Sequence, residues 1–156
     1  MAMSRALVRE LESTRKFFKA TLSVFGSDDA GFAPVPELYT VAGHVAHVAD
    51  SVDWFVDGAF GEGWNMNFET LIARAKAVTS LSEATDWLDR SFANAGKVVG
   101  AASDQQLHEV IPDTRIMSGA PRMAIVSAIT DHTAHHRGAL TVYARLIGKV
   151  PPMPYS

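Results

Sequence analysis

PRMAIVSAITDHTAHHRGALTVYARLIGK, residues 121–149, is the longest uninterrupted apolar pattern in the chain. Ile125, Ile129, His132, His136, Ala139, Tyr143 and Leu146 recur at steps of three and four, the spacing of one helix face. Two imidazoles therefore interrupt what reads as the core side of a long helix. His132 and His136 stand one turn apart and project the same way, so a single metal ion can take a nitrogen from each. Leaving two buried rings without partners would cost roughly 1–3 kcal/mol apiece. The pattern thus calls for a metal, or for core histidines that hydrogen-bond each other, a hydroxyl such as Tyr143, or a buried carboxylate.

Pro121 suits the first turn of this helix, and Gly148 suits its end. Working outward, three more long helical patterns emerge. Residues 4–25 carry Leu7, Leu11, Thr14, Phe18, Leu22 and Phe25 on one face. After a loop with Pro34 and Pro36, residues 37–60 carry Leu38, Val41, Val45, Val48, Val52, Phe55 and Ala59. Asn67 is placed to cap a shorter helix through residue 77. Ser80 and Glu83 read as a capping box for residues 80–101, with Leu88, Phe92, Ala95 and Val99 facing the core. Residues 103–120 read as a connector, and the proline-rich tail from Val150 cannot be helical. No strand pairs or repeats stand out. The expected fold is all-α: an antiparallel four-helix bundle with one or two short extra helices, formed by residues 1–156 as one domain.

Composition narrows the chemistry. The net charge is −3 and no Lys/Arg-rich block is present, so no nucleic-acid partner is expected. With no cysteine in the chain, disulfides, thiolate zinc sites and a cysteine nucleophile of its own are excluded. Any metal must rely on His, Asp, Glu or water. The N-terminus is charged and amphipathic, and no run reaches the roughly 20 apolar residues of a membrane span. A cytoplasmic location without membrane association is the default expectation.

A third ligand would come from another helix of the bundle. TVAGHVAHVADSVDWF, residues 40–55, offers His44 and His47. By phase His44 lies nearer the apolar stripe, while His47 lines up with Ser51 and Trp54 on an adjoining face. Periodicity leaves the choice open. Three histidines would leave a position for water or substrate, as catalytic sites do. Asp50 and Asp131 are candidates to accept the ring N–H that faces away from the metal, or to relay protons. Arg137 could hold an anionic substrate group. His108 and His135 read as surface residues; Trp54, Phe55 and Phe60 read as packing.

At these residues the chain resembles the DinB/YfiT-like superfamily of metal-binding four-helix bundles. HVADS in the second helix is similar to that family's first-ligand region, and DHTAHHRGAL resembles its HxxxHRGQ pattern. The helix order, with a long connector before the last helix, matches as well. The resemblance implies a three-histidine site on His47, His132 and His136, selecting His47 over His44. It implies a divalent ion, zinc or nickel first, with iron or manganese as alternatives. It also implies a small-molecule substrate, a homodimer, and a metal-dependent S-transferase working with an external low-molecular-weight thiol such as bacillithiol or mycothiol. A metal-dependent hydrolase is the alternative, and a metal-stabilised binding or assembly bundle is a third reading. Ala139 stands where the family often has Gln, so any role of that amide is missing here.

Overall fold

The computed structural model describes residues 2–156. Four long helices build the bundle: α1 (Ala2–Leu22), α2 (Val41–Phe60), α4 (Leu81–Ala101) and α6 (Ala124–Leu146). Two short ones, α3 (Phe68–Lys76) and α5 (Asp104–His108), decorate it, with a 3-10 turn at Ser27–Asp29. Among the described residues there is no strand, only an isolated antiparallel bridge between Val110 and Pro121. Among the described residues no helix is long and apolar enough to cross a membrane.

Directions follow from the side-chain contacts. Arg15 and Lys19 of α1 pair with Asp89 of α4, while Val8 sits by Gly96 and Gly100, so α1 and α4 run antiparallel. On α2, His44 meets Tyr143 whereas Ala59 meets Arg122, so α2 and α6 are antiparallel too. Thr14 meets Thr130 and Phe17 stacks near Arg137, which makes α1 and α6 parallel neighbours. α2 and α4 are also parallel, because α3 returns along α2 before α4 starts. The bundle is therefore two antiparallel and two parallel pairings around one core. Leu11, Phe18, Val45, Val52, Leu88, Ile125 and Leu140 fill it with almost no exposure.

Local chemistry sets the boundaries. Thr40 caps α2 by accepting the Gly43 N–H at 3.0 Å. The helix therefore begins four residues later than the apolar pattern predicts, and Leu38 is 47% exposed. Asn67 caps α3 as expected, and Ser80 caps α4 by accepting the Glu83 N–H, which is the Ser80 half of the predicted capping box. In the connector, Ser103 and Gln106 exchange side chain-to-backbone bonds of 3.1 and 2.9 Å, which nucleates α5. The connector also delays α6. The Arg122 and Met123 N–H groups donate to Glu109 and Leu107, so the helix starts at Ala124 and not at Pro121. At the far end Gly148 has φ +78°, and the Lys149 and Gly148 N–H groups return to Ala144 and Arg145. That double return is the Schellman stop expected of a glycine just past a helix.

The loop after α2 is fixed by a close approach. The Trp64 indole lies on Gly58, where an added Cβ would fall 2.1 Å from the ring. Its N–H donates to the Asp113 carbonyl at 2.8 Å, and its backbone N–H donates to the Asp113 carboxylate at 2.9 Å. Arg115 clamps the same carboxylate and holds it well below the usual range. Helix propensity favours alanine over glycine at an interior position by about 1 kcal/mol. Overpacking a filled core costs about 1–3 kcal/mol, and a 2.1 Å overlap lies at the severe end. Gly58→Ala should therefore lose about 2 kcal/mol net in urea denaturation followed by circular dichroism; a gain in stability would show that Trp64 does not pack on this helix.

Candidate metal centre

The core face of α6 is rotated from the stripe predicted by sequence. Its buried residues are Ile125, Val126, Ile129, Thr133, His136, Leu140, Tyr143 and Ala144. His132 and Ala139 lie at the edge of that face, half-buried, and Leu146 is 60% exposed. His136 therefore points into the α2–α6 seam, while His132 stands where the seam opens. On α2, His44 is buried, and His47 lies one turn along at the same opening.

Antiparallel packing brings these positions into register. One ring nitrogen from each of His47, His132 and His136 lies within 4.8 Å of the other two. The ring centroids are 4.7 Å apart for His47–His136, 5.0 Å for His47–His132 and 4.5 Å for His132–His136. Nε2 of His136 is 3.2 Å from Nε2 of His132. Two nitrogens bound tetrahedrally to one zinc ion lie roughly 3.3 Å apart, so this pair already has the needed separation.

Burial is the main force on the protonation of these rings. It pushes His132 down to about 4 and His136 to about 2, with the neighbouring histidines adding to both shifts. His47 is lowered for the same reason, then by His135. Asp131, exposed on α6, opposes the shift on His132 only through its charge. All three imidazoles are neutral at pH 7, the state a metal ligand requires. The donor set fits a borderline divalent ion: three neutral nitrogens, no thiolate, and room on one side.

That room is a cavity of about 360 Å³ lined by His47, His132, Tyr39, Trp54, Phe55 and Phe68, with Asp50, Ser51, Leu71 and Ile72 completing the wall. Trp54 and Phe55 pack against the core as read from sequence and also line this cavity; Phe55 lies 6.4 Å from His132, centroid to centroid. Asp50 is nearly buried and paired with Arg74 of α3. Burial pushes its carboxyl up while the guanidinium pulls it down.

The other candidates fall elsewhere. Arg137 projects from the opposite side of α6, between the rings of Phe17 and Tyr155, and lines a separate hollow with Thr14, Thr130 and Thr133. His135 and His108 are exposed, as expected, and His108 donates to the Asp104 carbonyl. Sequence reading missed Tyr39, which precedes the α2 cap. Its ring stacks on His47 at 4.8 Å and 18°, and its hydroxyl lies 3.4 Å from His47 Nδ1. Its only signal was an aromatic beside a capping threonine, which periodicity does not read.

A bundle that gathers three neutral imidazoles from two facing helices beside an open cavity defines a class of helical protein able to hold a divalent ion. The sequence model of the DinB family matches residues 3–156, and the chain belongs to that family. No curated protein matches the chain.

The buried histidines carry a pH dependence. Unfolded, they titrate near 6.5; folded, they hold protons only at lower pH. The unfolded state therefore binds more protons between about pH 6.5 and 4, so stability is full above that window and falls as pH drops through it. The metal-free protein should melt roughly 5–10 °C lower at pH 5 than at pH 7.5. A His132→Gln/His136→Gln variant should show a visibly smaller drop in the same scanning calorimetry; an equal drop would assign the effect to other groups.

Proposed function

We propose that this chain is a metal-dependent enzyme that transfers an external low-molecular-weight thiol to an apolar electrophile. The observation that carries the reading is the position of the histidine cluster. Two of its rings, His47 and His132, form part of the wall of an aromatic cavity, so the cluster is not sealed inside the core as a purely structural centre would be. His47, His132 and His136 would hold the ion, zinc or nickel first. When bound, that ion would lower the pKa of a coordinated thiol and favour its thiolate.

The chain's own residues supply the rest. With no cysteine in the sequence, the sulfur nucleophile must come from outside. Trp54, Phe55, Phe68 and Ile72 exclude water and give an apolar electrophile a surface to bury. The thiolate sulfur forms a bond to the electrophilic carbon, and the leaving group departs with its electron pair. Asp50 is the carboxylate on the cavity wall, and with Arg74 beside it, it is the candidate to receive the thiol proton. Arg137 faces away from this cavity, so the anion-binding part suggested for it falls outside the proposal.

Purified protein should carry about one divalent ion per chain by plasma mass spectrometry, lost in His132→Ala/His136→Ala without loss of helicity. The loaded protein should join bacillithiol, mycothiol or glutathione to chlorodinitrobenzene, releasing chloride only when metal is present. Hydrolysis of ester substrates without thiol would replace this reading with a hydrolase. Loss of fold together with the metal would favour a structural ion.

A further inference from the structure

On its buried side the centre is backed by three consecutive hydrogen bonds. The Tyr143 hydroxyl lies 3.0 Å from the Tyr39 carbonyl, and His44 Nε2 lies 3.2 Å from the Tyr143 hydroxyl. His44 Nδ1 lies 3.0 Å from His136 Nδ1. The end of this chain fixes its polarity. A backbone carbonyl can only accept, so Tyr143 gives it the one proton a phenol has. Tyr143 must then accept from His44, whose proton sits on Nε2. His44 is buried, and its partners are an imidazole and a phenol with no carboxylate to hold a second proton in place, so the ring is neutral. A neutral imidazole has one N–H, so His44 Nδ1 is bare and accepts. His136, neutral for the same reason, donates from Nδ1, and its Nε2 is left with a free lone pair aimed at His132.

We propose that His44 and Tyr143 are positioning residues that transmit the acceptor character of the Tyr39 carbonyl to His136, fixing it as the Nδ1–H tautomer with Nε2 presented to the metal. This rests on His47, His132 and His136 being the ligands. A metal-bound histidine ordinarily donates its other N–H to a carboxylate, a carbonyl or water. Here that acceptor is a second neutral imidazole, itself held in one tautomer by a tyrosine. The contact between Tyr39 and His47 imposes no such polarity, because a hydroxyl can donate or accept.

The assignment is readable without turnover. Long-range proton–nitrogen correlation spectra of metal-free protein at pH 7.5, labelled in histidine, should show His136 protonated at Nδ1 and His44 protonated at Nε2. Tyr143→Phe and His44→Ala should each weaken zinc binding, by calorimetric titration, roughly tenfold to a hundredfold. His44→Asn, whose amide oxygen falls near the place of Nδ1, should recover most of that loss. Helicity by circular dichroism accompanies each variant.

His136 protonated at Nε2 in the wild type would overturn the relay, even if zinc binds to the three histidines. Zinc binding unchanged in both Tyr143→Phe and His44→Ala would overturn it as well. Tautomers as assigned in a wild-type protein that binds neither zinc nor nickel would overturn the ligand reading and the positioning role together. The two failures are therefore distinguishable.

Discussion

The antiparallel seam between α2 and α6 is packed imidazole against imidazole, and the molecule is arranged around making that tolerable. Four histidine rings occupy a place where a bundle normally puts leucine and valine. Each brings a polar nitrogen that must be satisfied inside the protein or turned to a cavity. The inner pair does the first: His44 and His136 are bonded to each other and, through Tyr143, to the backbone just ahead of the Thr40 cap. The outer pair, His47 and His132, does the second. The boundary between core and site runs between adjacent turns of the same two helices.

That arrangement explains which parts of the fold were legible in the sequence. Four long amphipathic segments, the cap at Ser80 of one of them, the Asn67 cap of short α3 and the stop at Gly148 are local properties, and the structure has them. α5 escaped notice although Ser103 and Gln106 spell its capping box, because five residues carry too little periodicity to register. The late start of α6 was unreadable for a different reason. The N–H groups of Arg122 and Met123, just ahead of it, bond to Glu109 and Leu107 of the connector, partners that only tertiary structure supplies. The parallel pairing of α2 with α4 likewise depends on the return path of α3, which no pattern within either helix encodes.

The site was half legible. Spacing put His132 and His136 on one face, yet it treated them as equivalent. The real helix turns His136 inward and leaves His132 at the rim. Phase could not choose between His44 and His47, and the structure gives the reason: both belong to the cluster, one on its buried side and one at its mouth. Resemblance singled out His47; it was silent on the company His44 keeps. A backing partner that is neutral has an electrostatic result. A carboxylate at that place would bring a full negative charge close to the centre, whereas an imidazole brings none. A divalent ion there would keep its whole charge for whatever anionic group enters from the cavity.

Helix α3 stands apart from this economy of buried nitrogen. It packs chiefly on α2, is held to it by the Arg74–Asp50 pair, and buries only Ala75 fully. Yet Phe68, Leu71 and Ile72, all from α3, form one side of the cavity. Part of the surface that would recognise a substrate thus sits on a piece of the chain that holds none of the four histidines and bears little of the bundle's weight, while Trp54 and Phe55 of α2 supply another part. Exchanging nine residues between Phe68 and Lys76 would rebuild that side of the cavity while leaving the histidine seam in place. A lineage built on this plan can change its diet by redrawing one short helix.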